Sequence, residues 1–346
     1  MIQCTQESSP GSAVCCVLVS QGAGGWDLLL PAGWAMPVWQ CLVYSGAIPA
    51  GLLQLHQASL ETAPGPGTSL AMEDSAWGRA EAAERSAQLR AEHFRLPPDK
   101  RPNYAVLGTL APFSRPWSEL LGREDWFVLR DVRVVSNLRS GLPQPDYCRA
   151  ASALVLVRVN IQGKGKLSEN TALYMPEECD LQTQELSLVE VHHKDDNVDT
   201  RKEMKKAHQD KLKQLKRQWK KVKDKKTQLI LTSAANDQEA DQNKLSSLEV
   251  SLKALKGLRE EEKSTYKEKS EQSWQCGDIS KIKNHNCRTL IGWILLGGYS
   301  LKLGGETGLG LIALSSLNLL LSNNVDRVLT RQPDNECYRT ACYHVI

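Results

Sequence analysis

"CRTLIGWILLGGYSLKLGGETGLGLIALSSL", Cys287 to Leu317, alternates short apolar runs with glycines. That texture predicts strands linked by glycine turns rather than a helical bundle. The chain then closes on "CYRTACYHVI" (Cys337 to Ile346), where two residue sets alternate at period two. Such a pattern predicts a last strand docked in a sheet up to the final residue. Upstream, "SALVLVRVNI" (Ser152 to Ile161) sets Val155, Val157, Val159 and Ile161 on one face of a strand. "TALYM" (Thr171 to Met175) is expected to pair with it across the intervening loop. "DWFVLRDVRVV" (Asp125 to Val135) is strand-like as well.

Residues 12–60 read as short strands and turns, with "AVCCVLV" (Ala13 to Val19) one strand and Gly22, Gly24 and Gly25 a loop. Trp26, Trp34 and Trp39 follow closely among apolar residues in "GWDLLLPAGWAMPVWQCLVYSG" (Gly25 to Gly46). The spacing predicts core residues of one folded unit that includes Leu107 and Phe113; a base-stacking platform is the other reading. Residues 61–79 are rich in Pro, Gly and Ser and read as a linker. "RAEAAERSAQLRAEHF" (Arg79 to Phe94) is helical by composition and is stopped by Pro97 and Pro98.

Between about His192 and Gln275 the chemistry changes. Arg201 to Lys226 carries 13 Lys and Arg against three acids, a local charge of +10, although the whole chain is only +3. Thr200 and Glu203 suggest a capping box. Leu212, Leu215, Trp219 and Val222 make a narrow seam, and Leu245, Leu248, Leu252 and Leu255 make a second. Two such helices can hide their seams on each other as a hairpin. The alternative is a solvated, partly helical linker.

Ten cysteines are scattered with no CxxC, which reads as free thiols rather than a disulfide framework. Cys276, His285 and Cys287, with Cys337 and Cys342, are the sharpest metal candidate, but their spacing matches no common zinc pattern. "HHKDD" (His192 to Asp196) reads as solvated surface beside the lysine-rich insert. No metal, cofactor or catalytic residue is expected. The apolar stretch Leu309 to Leu321 is broken by Ser and Asn and falls short of a membrane span.

Two motifs carry a family resemblance. "GWDLLLPAGWAMPVWQCLVYSG", followed by "RPNYAVLGTLAPFSRPW" (Arg101 to Trp117), resembles the signature region of the largest protein subunit of eukaryotic ribonuclease P and RNase MRP. "RTLIGWILLGGYSLKLGGETGLGLIALSSL" with the final "YRTACYHVI" is similar to that family's C-terminal segment. Ala32 and Ala35, beside the second Gly-Trp, depart from the pattern, and the chain resembles the C-terminal part of such a subunit.

The resemblance implies an RNA-bracing scaffold in a particle whose RNA is the catalyst. Its partners are the ribonuclease P or MRP RNA and the other protein subunits, with no membrane; its place is the nucleus and nucleolus. It further implies a distant likeness to the C-terminal barrel of glycine-cleavage T-type proteins.

The fold class expected is α+β, mainly antiparallel β with a barrel-like C-terminal segment and a charged helical insert. The divisions are 1–60 (Trp-rich β signature), 61–99 (linker and helix), 100–191 (β region continuing the signature domain), 192–275 (insert) and 276–346 (C-terminal β domain). Lys100, Arg101 and Arg115 are candidates to meet phosphates, and Tyr104 and Trp117 to stack on unpaired bases or to pack beneath the loop. Lys213, Lys216, Arg217, Lys220 and Lys221 are further RNA-binding candidates. The rival for the 104–113 segment is purely structural, a strand with a tight turn at Gly108. Rival functions are a folate-binding transferase-like protein, for which Asp27 is the candidate ligand, and a non-catalytic coiled-coil interaction protein.

Overall fold

The computed structural model describes residues 14–21, 25–62, 72–147, 149–161, 163–182, 188–233, 239–274 and 278–346. Two compact units divide the chain. One holds Met1–Pro102, Leu107–Val191 and Asp278–Ile346; the other holds Asn103–Val106 and His192–Gly277.

The first unit begins with the hairpin β1 (Val17–Gln21) and β2 (Gly25–Leu29), then the helices α1 (Ala35–Tyr44), α2 (Leu52–Glu61) and α3 (Ala76–Arg95). After α4 (Trp117–Leu121) come β3 (Phe127–Val128), α5 (Val132–Arg139), β4 (Ala153–Ile161), β5 (Ala172–Tyr174) and α6 (Glu178–Gln182). The second unit supplies α7 (Val198–Ser233) and α8 (Glu239–Ser273). The first unit resumes with β6 (Leu290–Ser300), β7 (Gly305–Ala313), α9 (Leu314–Ser322), β8 (Arg327–Arg331) and β9 (Arg339–Val345).

The sheet runs β3-β4-β7-β6-β5-β8-β9, and β9 pairs back onto β4, so six strands close into a barrel. All pairs are antiparallel except β3 with β4. Val155, Val157 and Val159 face inward, as the period-two reading requires, and join Leu173, Ile294, Ile312, Val328, Ala341 and Tyr343. On β4 the outward Leu154 and Leu156 are buried too, so this strand is covered on both faces. Several glycines expected at turns lie inside strands instead. A Cβ at Gly292 would sit 2.0 Å from the Leu311 carbonyl oxygen, and one at Gly310 would sit 3.0 Å from Ile294 Cδ1. Small inward positions beside large ones let a narrow barrel fill without voids.

Several expectations change here. Thr171–Met175 pairs through β5 with β6 and β8, not with β4. The 125–135 stretch yields only the two-residue β3 before turning helical at α5. Asp131 accepts hydrogen bonds from the backbone N–H of Arg133 and Val134, and this cap outweighs the β-branched composition. The end of the 287–317 stretch is also helical, because Leu314, Leu317 and Leu320 of α9 reach the core at helical spacing.

The N-terminal region is half helical, not strands and turns throughout. A short apolar run such as 35–44 does not separate strand from helix by periodicity. The tryptophan expectation is also corrected. Trp26 is 61% exposed, and Trp34 and Trp39 are exposed rather than core. Among described residues, α1 buries none of its side chains. The helix α2 reaches the barrel, placing Leu60 against Gly298 and donating from Gln57 Nε2 to the Tyr299 carbonyl.

In the second unit α7 and α8 form an antiparallel hairpin, the first of the two readings of this insert. Arg201 lies 4.1 Å over the Trp274 ring, the His208 ring stacks on Tyr266 at 3.9 Å, and Lys226 pairs with Glu249 at 2.6 Å. The seam residues Leu212, Leu215 and Val222, like Leu245, Leu248, Leu252 and Leu255, are half-buried, as a two-helix contact requires. The helix begins at Val198, so Thr200 lies within its first turn and is not the cap. No described helix is long and apolar enough to cross a membrane.

Candidate nucleic-acid interface

Arg115 and Trp117 sit in the barrel unit and are buried. Both meet the carboxylate of Glu73: Arg115 Nε pairs with Oε1, and the Trp117 indole N–H donates to Oε2 at 2.8 Å. Arg115 also donates to Asn170 Oδ1 at 2.7 Å and lies 3.6 Å from Glu169, which Arg85 holds from the other side. The Trp117 ring packs edge-on against Trp293 at 4.8 Å and beside Trp126. The guanidinium is therefore committed to carboxylates and the indole faces to other rings. Of the two roles open to Trp117, packing is the one this geometry provides.

Arg101 is half-buried and donates to the carbonyls of Phe94 and Leu96, with its guanidinium 5.3 Å from the centre of the Phe94 ring. Lys100 is exposed at the end of the preceding single turn, and Tyr104 is half-buried in the second unit. The 104–113 segment is a series of turns rather than a strand, with Gly108 at φ +67°, the left-handed value its tight turn needs.

The α7 cations are placed differently. Lys213, Lys216, Arg217, Lys220 and Lys221 are all exposed. Lys213 pairs with Asp210 at 3.3 Å, whereas the other four meet no acid among the described residues. Trp219 is 40% exposed rather than sealed in the seam, with the Lys223 ammonium 5.1 Å from its ring centre. An open indole with a lysine ammonium beside it, on a lysine-rich helix, offers a stacking face and phosphate-seeking charge together. The seam reading of Trp219 hid this; the flanking lysines of "RQWKKVK" (Arg217 to Lys223) were the available signal.

The "HHKDD" cluster is not uniformly solvated. Lys194 and Asp196 are exposed, but Asp195 is buried against Arg201 and accepts from Asn103 Nδ2 at 3.0 Å and the Asn197 N–H at 3.1 Å. Burial alone would raise its carboxyl, yet these bonds outweigh that effect and hold it below the ordinary carboxylate value.

Elsewhere in the barrel unit a polar group is buried around Arg331. Its Nη2 donates to the Tyr174 hydroxyl at 3.0 Å and its Nη1 to the Leu107 carbonyl at 2.8 Å. Nearby, Glu190 accepts from the Tyr338 hydroxyl and the Cys287 N–H. Burial pushes the Cys287 thiol and the Tyr174 and Tyr338 phenols up, so these groups stay protonated at neutral pH. The adjoining void is about 30 Å³, space for a single water. Asp27 stands on the exposed strand β2, not in a deep pocket. No described group of three or more His, Cys, Asp or Glu is arranged to hold a metal, and Cys276 lies outside the described residues.

Residues 153–346 match the family model of the POP1 C-terminal domain, and residues 25–117 match that of the POPLD (NUC188) domain. A 104-residue stretch is 40% identical to the human protein described as ribonucleases P/MRP protein subunit POP1. That stretch spans 30% of this chain and 10% of the human protein.

Proposed function

Because the chain belongs to the POP1 C-terminal domain family, whose match covers more than half of it, we propose that it is an RNA-binding scaffold subunit of a ribonuclease P or RNase MRP ribonucleoprotein. In this role it supports removal of 5′ leaders from precursor tRNA and processing of rRNA, in the nucleus and nucleolus. The particle's RNA and its other protein subunits are its partners, and it cuts no RNA by itself. The buried Tyr174 and Tyr338, the half-buried Cys287 and the ion-paired Asp195 favour structural rather than catalytic work for those groups.

The observation that carries the reading is the open basic face of α7. Lys216, Arg217, Lys220 and Lys221 lack acidic partners among the described residues, with Lys213 and the half-open Trp219 beside them. Nothing on that face is shaped to read a base edge, so it binds phosphate and stacks without sequence preference. Lys100 is a second, isolated phosphate contact, while Arg115 and Trp117 brace the fold from within. Arg101 ties its turn back to the end of α3 through the Phe94 and Leu96 carbonyls.

Each phosphate neutralised on single-stranded RNA contributes about −0.7 to the slope of log affinity against log salt. With four cations engaged, reversing Lys216, Arg217, Lys220 and Lys221 to Glu flattens that slope by about 3 units. Photocrosslinking to ribonuclease P or MRP RNA should map to α7 and disappear in the same variant. An unchanged slope, or crosslinks that avoid α7, would overturn the assignment.

A further inference from the structure

Between Val17 and Leu53 the chain exposes an apolar surface that RNA binding does not use. Trp26, Leu29, Trp39, Tyr44, Ile48 and Leu53 are among its open side chains. The helix α1 is apolar around its circumference: Met36, Trp39 and Val43 follow one line, and Val38 and Leu42 another. A helix apolar on all sides belongs in an interior. Its 10 residues reach only about 15 Å, half a bilayer, so that interior is not a membrane.

The hairpin is open in the same way. Val17 and Val19 face one way and Leu18 the other, and all three are exposed. Among the described residues β1 and β2 pair with no third strand, and an isolated two-stranded sheet is marginal in water. Charge then narrows the partner. The first Lys or Arg of the whole chain is Arg79, so nothing here can neutralise phosphates or an anionic bilayer surface. A second copy is a poor fit, since a two-fold contact covers one patch, whereas both faces of the hairpin and all sides of α1 need cover.

We infer that the β1–β2 hairpin and α1 form a protein-docking element that is enclosed by apolar surface of another protein subunit of the same particle, independently of RNA. This rests on the subunit reading above. The residue types fit, because Trp, Tyr and Met dominate the centres of protein interfaces.

The test uses the full chain and the purified, nuclease-treated protein subunits of a ribonuclease P particle. Sedimentation velocity should show the chain binding at least one RNA-free subunit. The variant Trp26→Ser/Trp39→Ser/Val43→Ser should bind at least ten-fold more weakly, with the barrel melting temperature unchanged. Because these side chains lie outside the barrel core, a milder Leu29→Ser/Tyr44→Ser variant serves as the check should the first not fold. Three results would each overturn the inference: no binding to any RNA-free subunit, a defined dimer that the serine variants dissolve, or uptake by neutral phosphatidylcholine vesicles through these residues. Failure here with α7 still crosslinking to the particle's RNA would leave the scaffold reading intact. Loss of those crosslinks with subunit binding preserved would do the reverse.

Discussion

Arg115, Trp117 and Glu73 form one buried unit in which both Glu73 oxygens, the Trp117 indole N–H and the Arg115 Nε and Nη1 have partners. Replacing Trp117 with Ala opens a cavity against Trp293 and orphans a carboxylate oxygen, so we expect a loss of about 3–5 kcal/mol in denaturant unfolding. The exposed Trp34 makes the contrast. Trp34→Ala should change the unfolding free energy by no more than about 0.5 kcal/mol, and equal losses at both positions would contradict this placement. Asp195 tests electrostatics in the other unit. Its folded-state value lies below the ordinary 3.8, so its contribution is complete above that pH and fades as pH falls through the lower folded value. Asp195→Asn should therefore destabilise the helical hairpin at pH 7, while the gap to the parent protein narrows below about pH 4. Thermal unfolding followed by helical circular dichroism against pH would measure both.

At the scale of elements, β9 has the largest topological consequence. It pairs with β8 on one side and β4 on the other, so it is the strand that closes the barrel. Deleting Arg339–Ile346 would expose two strand edges and the inward Val157, Val159 and Val328 at once. We expect insoluble or protease-sensitive protein; a soluble truncation with a cooperative melt would show that the barrel does not depend on closure. The helices illustrate a different balance. A side-chain cap at Asp131 converts a valine-rich stretch into α5, and Ser75 starts α3 by accepting from the Gly78 N–H at 3.0 Å. Both are local effects worth about 1 kcal/mol, enough to tip a short segment.

At the scale of the molecule, the barrel core contains no described residue of 192–277, and the helical hairpin carries its own contacts. Joining the barrel unit across an excised Val198–Ser273 should leave its cooperative melt in place while removing most of the salt-dependent RNA affinity. A barrel that no longer melts cooperatively would mean that the two units fold as one. Periodicity sufficed for β4 and β9, because strand alternation is a local pattern; it offered the paired seams of α7 and α8 as one of two readings, the other being a solvated linker. Local charge density likewise located the basic helix. Packing in three dimensions was needed for everything that depends on distant partners. It decided that β5 joins β6 and β8, that Gly292 makes room inside a strand, and that Arg115 is buried on Glu73 while Lys220 stays in water. Both are cations in basic, aromatic-containing stretches; what separates them is a carboxylate 42 residues away from one of them. The tryptophans differ for the same reason. Burial belongs to the surface that covers a side chain, and Trp117 meets such a surface where Trp26 does not.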